Sequence, residues 1–270
     1  MAEQLEKNVR RFTGLAEVYD QARPIVPLYP VEVILRYLGR RPDQVVDLGC
    51  GTGLSTLIWA EVAGRVIGLE PNPEMLAIAE AKGGGKVSFA RGQARATGLE
   101  TAGTDVVVCS QSFHWMEPVS TLKEVDRILR PGGLFAAIDY DWPPLSLWPA
   151  DRAFDGLNAK VRHIEATCPE ISETFIRYPK ENHLRNIKDS GRFSYVREVL
   201  FANREDCDTE RFINLALSKG GLRTILKKRP DLVADDFQRF QETVRGCFPP
   251  EGLAIDFFYH LRLGLKEAEK

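Results

Sequence analysis

The stretch Val45–Thr56, VVDLGCGTGLST, decides the fold. It places three glycines and one aspartate, Asp47, between an apolar run and a segment with helical periodicity. A glycine-rich turn between a strand and a helix lets a ligand approach the backbone closely, and it leaves the first helical N–H groups free to bind that ligand. The stretch therefore predicts a ligand site at a strand end of an α/β sheet.

The details of this turn separate three kinds of ligand. A phosphate-binding P-loop needs a lysine to neutralise the phosphates, and the turn contains none. A dinucleotide fingerprint needs G-x-G-x-x-G, but Leu54 stands at the third glycine position, and Asp47 would repel a pyrophosphate. An acid at this place suits a ligand with positive groups and no phosphate, such as S-adenosylmethionine, which carries an ammonium and a sulfonium.

A second carboxylate, Glu70, ends the next predicted strand, about 20 residues farther on. Its two oxygens can accept hydrogen bonds from both hydroxyls of a ribose. Nicotinamide-dependent oxidoreductases use a carboxylate at the same position, so Glu70 alone does not separate the two cofactors.

The composition is that of a soluble globular enzyme or binding protein. The chain has 270 residues, a net charge of −2, 44% hydrophobic residues and 27% charged residues. No basic excess indicates nucleic acid, and no apolar run indicates a signal peptide or a membrane helix, so we expect a cytoplasmic protein with no membrane partner. The five cysteines form no C-x-x-C pair, so we predict no metal site.

Strands and helices alternate from residue 43 to residue 142, which is typical of a parallel sheet with helical crossovers. A helical stretch is predicted directly after the glycine turn, with Leu54, Leu57, Ile58 and Val62 on one face. Two late segments, FSYVREVLFAN and AIDFFYHLRLGL, read as strands that close the sheet in antiparallel fashion. The predicted fold is an α/β, Rossmann-like doubly wound sheet of about seven strands, mostly parallel with an antiparallel last strand, plus a helical insertion.

We divide the chain into four parts on this pattern. Residues 1–40 form an N-terminal helical segment, and residues 41–145 form the cofactor-binding Rossmann-like core. Residues 146–190 form a helical insertion that serves as a substrate lid, and residues 191–270 supply the strands and helices that complete the sheet. We expect a monomer or a homodimer.

Four motifs in this order carry a family resemblance: VVDLGCGTG at 45–53, GLEPNPEML at 68–76, DVVVCSQSFHWM at 105–116 and RILRPGGLFAAID at 127–139. They resemble the class I S-adenosylmethionine-dependent methyltransferases, in particular the small-molecule branch called methyltransferase domain 11. The segment FTGLAEVYDQARPIVPLYP at 12–30 looks like the start of the same branch. The resemblance covers roughly residues 10–142, about half of the chain.

The resemblance implies a cofactor site for S-adenosylmethionine and its product S-adenosylhomocysteine. The glycine turn would hold the methionine part, Glu70 the ribose, and residues after the third strand the adenine amino group, where this chain has Gln93 in place of the family's usual acid. Arg23 would be a partner for the ligand carboxylate. The implied residues are Tyr19, Arg23, Asp47, Gly49, Cys50, Gly51, Thr52, Gly53, Glu70, Pro71, Met75, Gln93, Ala94, Ser110 and Gln111.

Methyl transfer is an in-line displacement at an activated carbon, so alignment and exclusion of water matter more than acid–base groups. The candidate base is His114, at the tip of the fourth strand; packing or capping at the strand end is the alternative. The predicted acceptor pocket consists of Phe113, Trp115, Asp139, Tyr140 and Trp142. The alternative for Asp139 is a solvated loop acid, and His163, His183 and His260 are expected to be surface or structural residues.

These residues predict methylation of a small organic acceptor, with a carboxylate or hydroxyl oxygen as the first choice. Two alternatives stay open at this point. One is a nicotinamide-dependent oxidoreductase, and the other is a catalytically silent protein that binds S-adenosylmethionine. The turn and Glu70 serve binding rather than the chemical step, so they do not exclude the silent binder.

Overall fold

The structure is a computed structural model that describes residues 22–24, 26–172 and 176–268. Within these residues, seven strands form one sheet in the order β3-β2-β1-β4-β5-β7-β6. The strands are β1 (Gln44–Leu48), β2 (Arg65–Leu69), β3 (Val87–Ala90), β4 (Thr104–Ser110), β5 (Leu129–Tyr140), β6 (Tyr195–Cys207) and β7 (Leu253–Leu265).

The direction of the strands fixes where a ligand can bind. Strands β1 to β5 pair in parallel, and β7 pairs with β5 in antiparallel fashion. The predicted seven-stranded, mostly parallel sheet is therefore confirmed. The carboxyl ends of β1, β2, β4 and β5 meet at one edge, on both sides of the point where the strand order reverses, which is where open α/β sheets bind ligands.

The α-helices of the described part follow the predicted alternation and then fill the second half of the chain. They are α1 (Tyr29–Leu38), α2 (Pro73–Lys82), α3 (Pro118–Ile128), α4 (Trp148–Thr167), α5 (Pro169–Ser172), α6 (His183–Asp189), α7 (Thr209–Leu217), α8 (Gly220–Lys228) and α9 (Ala234–Cys247). Helix α2 begins at Pro73, where the Asn72 side chain caps it by accepting the N–H groups of Glu74 and Met75. None of these helices has the length and apolar character needed to cross a bilayer.

The segment after the glycine turn differs from the prediction. It contains turns and one short 3-10 helix, Leu57–Trp59, instead of an α-helix. The hydroxyls of Ser55 and Thr56 both donate to Asp47, at 2.8 Å. Side chains that bond locally compete with helical backbone geometry, and this competition explains why the apolar periodicity was misleading here.

Contacts divide the described chain into two compact units. The larger unit comprises residues 26–140, 177–201 and 259–268, and the smaller comprises residues 22–24, 141–172, 176 and 202–258. The core of the larger unit packs β-strand residues such as Val46 and Val107 against Leu122 and Val125 of α3. The core of the smaller unit contains Phe154, whose ring contacts those of Phe212 and Phe240 edge-on. The predicted ligand edge belongs to the larger unit.

Candidate functional site

The first two glycines of the turn after β1 share a backbone conformation but differ in the space around them. Gly49 and Gly51 have φ angles of 67° and 58°, a region that side chains other than glycine's rarely adopt. A Cβ at Gly49 would lie 2.8 Å from Ser112 Cβ, so this glycine lets the turn pack on the loop after β4. A Cβ at Gly51 would meet only Met75 Sδ, at 3.9 Å. Packing within the chain therefore requires the first glycine, whereas the second leaves open space beside the backbone.

Glu70 lies beside this turn at the end of β2. Its Oε2 accepts the N–H of Gly51 at 2.9 Å, and its Oε1 accepts the N–H of Asn72 at 2.8 Å. The residue is 8% exposed. Burial raises the pKa of Glu70 to about 7, although the N–H groups of Asn72 and Gly51 favour the charged form. The carboxyl is thus close to its ionisation point at neutral pH.

Asp47 is buried beneath the turn. Its Oδ2 accepts the hydroxyls of Ser55 and Thr56, while its Oδ1 has no partner among the residues that the structure describes. Burial raises the pKa of Asp47 to about 6 against these two hydrogen bonds. The Thr52 hydroxyl is also buried, and it too lacks a partner within the described part of the chain. Two unsatisfied polar atoms, one at the end of β1 and one in the turn, mark this place as a candidate site for a polar ligand or water.

The other predicted cofactor residues are distributed along the same edge, with two exceptions. Cys50 and Met75 are buried, Pro71, Ser110 and Ala94 are half-buried, and Gln93 is exposed. Tyr19 lies outside the described residues. Arg23 belongs to the smaller unit, where it donates to the hydroxyl and the carbonyl of Ser218 and lies over the Trp142 ring. A role of Arg23 towards a cofactor therefore stays a prediction.

At the end of β4, Gln111 and Lys180 form a polar contact. Gln111 has a φ of 53°, and its Oε1 accepts a hydrogen bond from Lys180 Nζ at 2.7 Å. Since an ammonium can only donate, this contact fixes the amide, and Nε2 is the buried donor end, without a partner in the described part. Lys180 Nζ also donates to the Tyr140 carbonyl at 3.3 Å.

Asp139 is the centre of a buried polar cluster. It lies within β5 and is 2% exposed, so the alternative of a solvated loop acid is wrong. Its Oδ2 is 2.9 Å from His183 Nδ1 and 3.2 Å from Arg262 Nη1. Its Oδ1 is 3.4 Å from Lys180 Nζ and 3.6 Å from His114 Nδ1. One carboxylate is therefore surrounded by two cations and two imidazoles.

The cluster sets the charge of its members. Burial alone would raise the pKa of Asp139, but Lys180 and the two imidazoles reverse this effect, and the pKa lies well below its usual range. Burial lowers the pKa of His114 to about 3, and Lys180 and His183 add to the effect while Asp139 opposes it. At neutral pH the site therefore contains an ionised Asp139 and a neutral His114.

The predicted pocket residues occupy different surroundings. Phe113 is 1% exposed, and its ring packs against Phe135 in the hydrophobic core. Trp115 is half-buried beside His114, and Arg177 lies over its ring. The Tyr140 ring contacts that of Tyr259. In the smaller unit, the Trp142 ring stacks on Phe154.

Sequence reasoning missed three members of the Asp139 cluster: Lys180, His183 and Arg262. His183 is fully buried, and His260 contacts Glu198, which also accepts from Arg262. His163 lies on helix α4. The missed residues stand 41 to 123 positions after Asp139, and no local spacing marks them. The one weak signal in the sequence is that His260 and Arg262 are two residues apart in a predicted strand, which places two polar side chains on the same face.

Known proteins that resemble this chain include methyltransferases. Residues 46–137 match a family model described as Methyltransferase domain. An uncharacterised methyltransferase of Mycobacterium tuberculosis is 34% identical over 122 residues, which are 45% of this chain and 49% of that protein. The ubiquinone/menaquinone biosynthesis C-methyltransferase UbiE of Rubrivivax gelatinosus is 24% identical over 204 residues, which are 71% of this chain and 81% of that protein.

A solved structure named as a candidate type II methyltransferase from Anaeromyxobacter dehalogenans has the same fold, with a TM-score of 0.67 and 22% identity over 92% of this chain and 99% of that chain. The chain spans about half the length of the mycobacterial relatives that it matches. Over residues 46–137, the match to the methyltransferase domain model confirms the resemblance drawn from the sequence motifs.

Proposed function

We propose that this protein transfers a methyl group from S-adenosylmethionine to a small organic acceptor, with a carboxylate or hydroxyl oxygen as the first choice. The observation that carries the proposal is the pairing of the open Gly51 backbone with the buried carboxyl of Glu70, at 2.9 Å. S-adenosylmethionine, when bound, supplies an electrophilic methyl group on a sulfonium.

The turn fits this cofactor better than a phosphorylated one. Two carboxylates, Asp47 and Glu70, border the turn, and the segment from residue 45 to residue 56 contains no cationic side chain. An ammonium is stabilised next to such a pair, whereas a pyrophosphate is repelled. The unsatisfied Asp47 Oδ1 and Thr52 hydroxyl are buried, and they would act on the amino-acid end through the turn or through water.

The sequence resemblance suggests which residues would hold each part of the cofactor. Glu70 would accept from the ribose hydroxyls, and Pro71 and Met75 would flank the adenine. Gln93 would face the adenine amino group together with Ala94. The remaining proposed contacts to the methionine part are Gly49, Cys50, Gly51, Thr52, Gly53, Ser110 and Gln111.

His114 is the proposed base for an acceptor that must lose a proton. It is neutral at physiological pH and 6% exposed, and it lies one strand end away from the glycine turn. For methyl transfer the protein mainly aligns two reactants, which lowers a barrier by about 7 to 11 kcal/mol in well-oriented systems. The base adds a smaller contribution, and only for a protic acceptor.

Calorimetric titration with S-adenosylhomocysteine and NADH, side by side, tests the cofactor. We expect binding of S-adenosylhomocysteine at micromolar concentration and none of NADH. Binding of NADH alone would replace the proposal by the oxidoreductase alternative.

Turnover of methyl-labelled cofactor against a panel of carboxylic acids, phenols and alcohols tests the activity. The name of the Rubrivivax relative specifies carbon methylation, so the panel includes carbon acids. Tight cofactor binding without turnover on any class would favour the silent binder.

A further inference from the structure

The two histidines beside Asp139 differ in what they can reach. His183 is fully buried, and its Nδ1 lies 2.9 Å from Asp139 Oδ2. His114 is 6% exposed, and its Nδ1 lies 3.6 Å from Asp139 Oδ1. Of the two rings, only that of His114 retains access to the outside of the cluster. Any role towards a bound molecule therefore falls to His114.

Asp139 also determines which nitrogen of His114 carries the proton. A neutral imidazole has one N–H and one lone pair. An Nδ1 lone pair directed at an ionised carboxylate 3.6 Å away is repelled, whereas an Nδ1–H is attracted. Neither Nδ1 nor Oδ1 has a hydrogen-bond partner in the described part of the chain, so this preference is electrostatic and no other hydrogen bond competes with it. The favoured form is thus Nδ1–H, with the lone pair on Nε2.

The groups around Asp139 keep its carboxylate ionised, which the effect on the His114 tautomer requires. Lys180 comes from the 3-10 helix Lys180–Asn182, His183 from α6 and Arg262 from β7. Arg262 also donates to Glu198, which contacts His260, so the charge of Arg262 is shared. His183 and Arg262 hydrogen-bond to Oδ2 and Lys180 forms an ion pair with Oδ1, so three elements hold the Asp139 carboxylate ionised and oriented.

We propose that Asp139 is a positioning residue that keeps the proton of His114 on Nδ1, and that the methyl acceptor therefore presents an O–H group, a hydroxyl, phenol or enol, rather than an ionised carboxylate. An Nε2 lone pair accepts a hydrogen bond from an O–H and repels a carboxylate oxygen. This inference rests on the proposed methyl transfer and narrows its acceptor class.

The step balances in atoms and charge. The acceptor oxygen forms a bond to the methyl carbon, and the carbon–sulfur bond breaks with its electron pair remaining on sulfur. The O–H proton moves to His114 Nε2, and the resulting imidazolium is paired with Asp139. Because the acceptor oxygen becomes oxonium-like as the new bond forms, its proton is acidic enough to be taken by a weakly basic imidazole.

Nitrogen-15 NMR of the imidazoles in the full chain, with S-adenosylhomocysteine present, tests the tautomer directly. His114→Gln identifies the signals of His114 among the four histidines of the chain. We expect a neutral ring with Nδ1–H and an unprotonated Nε2 from about pH 5 to pH 8. A ring with Nε2–H, or an imidazolium at neutral pH, would overturn the inference without any assay of activity.

Asp139→Asn tests whether the carboxylate is the cause. The amide can donate to Nδ1, and we expect His114 to shift towards Nε2–H. The matched control is Glu198→Gln, which removes a charge that contacts Arg262 but not His114. We expect this control to keep the Nδ1–H form. If Asp139→Asn does not fold, the spectrum of the wild-type protein still shows which nitrogen of His114 carries the proton.

A matched acceptor panel, in which each phenol or enol is paired with a carboxylic acid of the same skeleton, tests the acceptor class. We expect turnover of the O–H member, and a fall in kcat by roughly 100-fold or more in Asp139→Asn. Turnover confined to carboxylates, with S-adenosylhomocysteine binding intact, would overturn the inference alone. Failure of S-adenosylhomocysteine to bind would instead overturn the proposed function.

Discussion

Glu70 Oε2 accepts the backbone N–H of Gly51 at 2.9 Å, and this contact ties the end of β2 to the turn after β1. The second oxygen of Glu70 accepts the N–H of Asn72, the N-cap of α2. A ribose that donates two hydroxyls to Glu70 competes with these N–H groups or shares the carboxylate with them. If the cofactor binds as proposed, its binding and the ionisation of Glu70 are coupled.

Removal of this carboxyl tests its part in cofactor binding. We expect Glu70→Ala to weaken the binding of S-adenosylhomocysteine by tenfold or more, about 1.4 kcal/mol, because charge-assisted hydrogen bonds to the ribose are lost. Calorimetric titration measures the dissociation constant. The matched control is Glu80→Ala, at an exposed position on α2, which should bind as the wild type does. An unchanged constant in Glu70→Ala would place the ribose elsewhere.

The raised pKa of Glu70 predicts a release of protons on binding. With a pKa of about 7, the carboxyl is partly protonated at neutral pH, and ribose donors favour its charged form. We expect the enthalpy of S-adenosylhomocysteine binding at pH 7 to differ between phosphate and Tris, which have different ionisation enthalpies. The difference should shrink in Glu70→Gln. Equal enthalpies in both buffers for the wild-type protein would contradict the coupling.

The same shifts predict how the stability of the ligand-free protein depends on pH. The folded pKa values of Glu70 and Asp47, about 7 and about 6, lie above their ordinary values. A raised pKa means that the folded chain binds more protons than the unfolded chain between the ordinary and the folded pKa. The two protonated carboxyls therefore stabilise the folded chain fully below their ordinary pKa, and this stabilisation is lost as pH rises through the folded pKa. We expect the midpoint of urea denaturation to fall between about pH 5 and pH 8, and less steeply in Glu70→Gln.

The lowered pKa of His114, about 3, partly opposes this fall below about pH 6.5, because there the unfolded chain binds a proton that the folded chain does not. Asp105 and Asp139 also have lowered pKa values. A carboxyl with a lowered pKa stabilises the folded chain when it is ionised, and this stabilisation is lost only at more acidic pH, as pH falls through the folded pKa. The difference between the wild type and Glu70→Gln isolates the contribution of Glu70, and equal pH dependence of the two midpoints would show that Glu70 is not protonated in the folded chain.

The strands and turns around Gly51 and Glu70 could be predicted from sequence because their determinants are local. The glycine turn, the Asn72 cap and the strand ending in Glu70 are each encoded within about ten residues, and their order follows from the regular crossovers of a parallel sheet. The helix expected after the turn was wrong for an equally local reason. Ser55 and Thr56 use their hydroxyls on Asp47, and apolar periodicity takes no account of such bonds.

The Asp139 cluster could not be predicted, because its members come from distant parts of the chain. Lys180, His183 and Arg262 reach Asp139 from the 3-10 helix Lys180–Asn182, from α6 and from β7. Each looks in the sequence like an ordinary polar residue. Only the pairing of β7 beside β5, which places His260 opposite Asp139, brings that face of the last strand to the site.

The two glycines at the start of the turn allow packing and binding to be separated. Gly49→Ala places a Cβ at 2.8 Å from Ser112 Cβ and 2.9 Å from Met116 Cε, in addition to backbone strain. Gly51→Ala adds strain with no contact closer than 3.9 Å. Gly191, with a φ of 65° and nothing within 4 Å of an added Cβ, is a matched control for strain alone.

We expect Gly51→Ala and Gly191→Ala to lose similar stability, about 1 to 2 kcal/mol from the left-handed backbone, and Gly49→Ala to lose more. Only Gly51→Ala should combine a folded chain with weakened binding of S-adenosylhomocysteine, because its methyl group occupies the space proposed for the ligand. Urea denaturation and calorimetric titration on the three variants measure both quantities. Wild-type affinity in Gly51→Ala would mean that the ligand does not lie against this backbone, and the site would then have to be sought away from the turn.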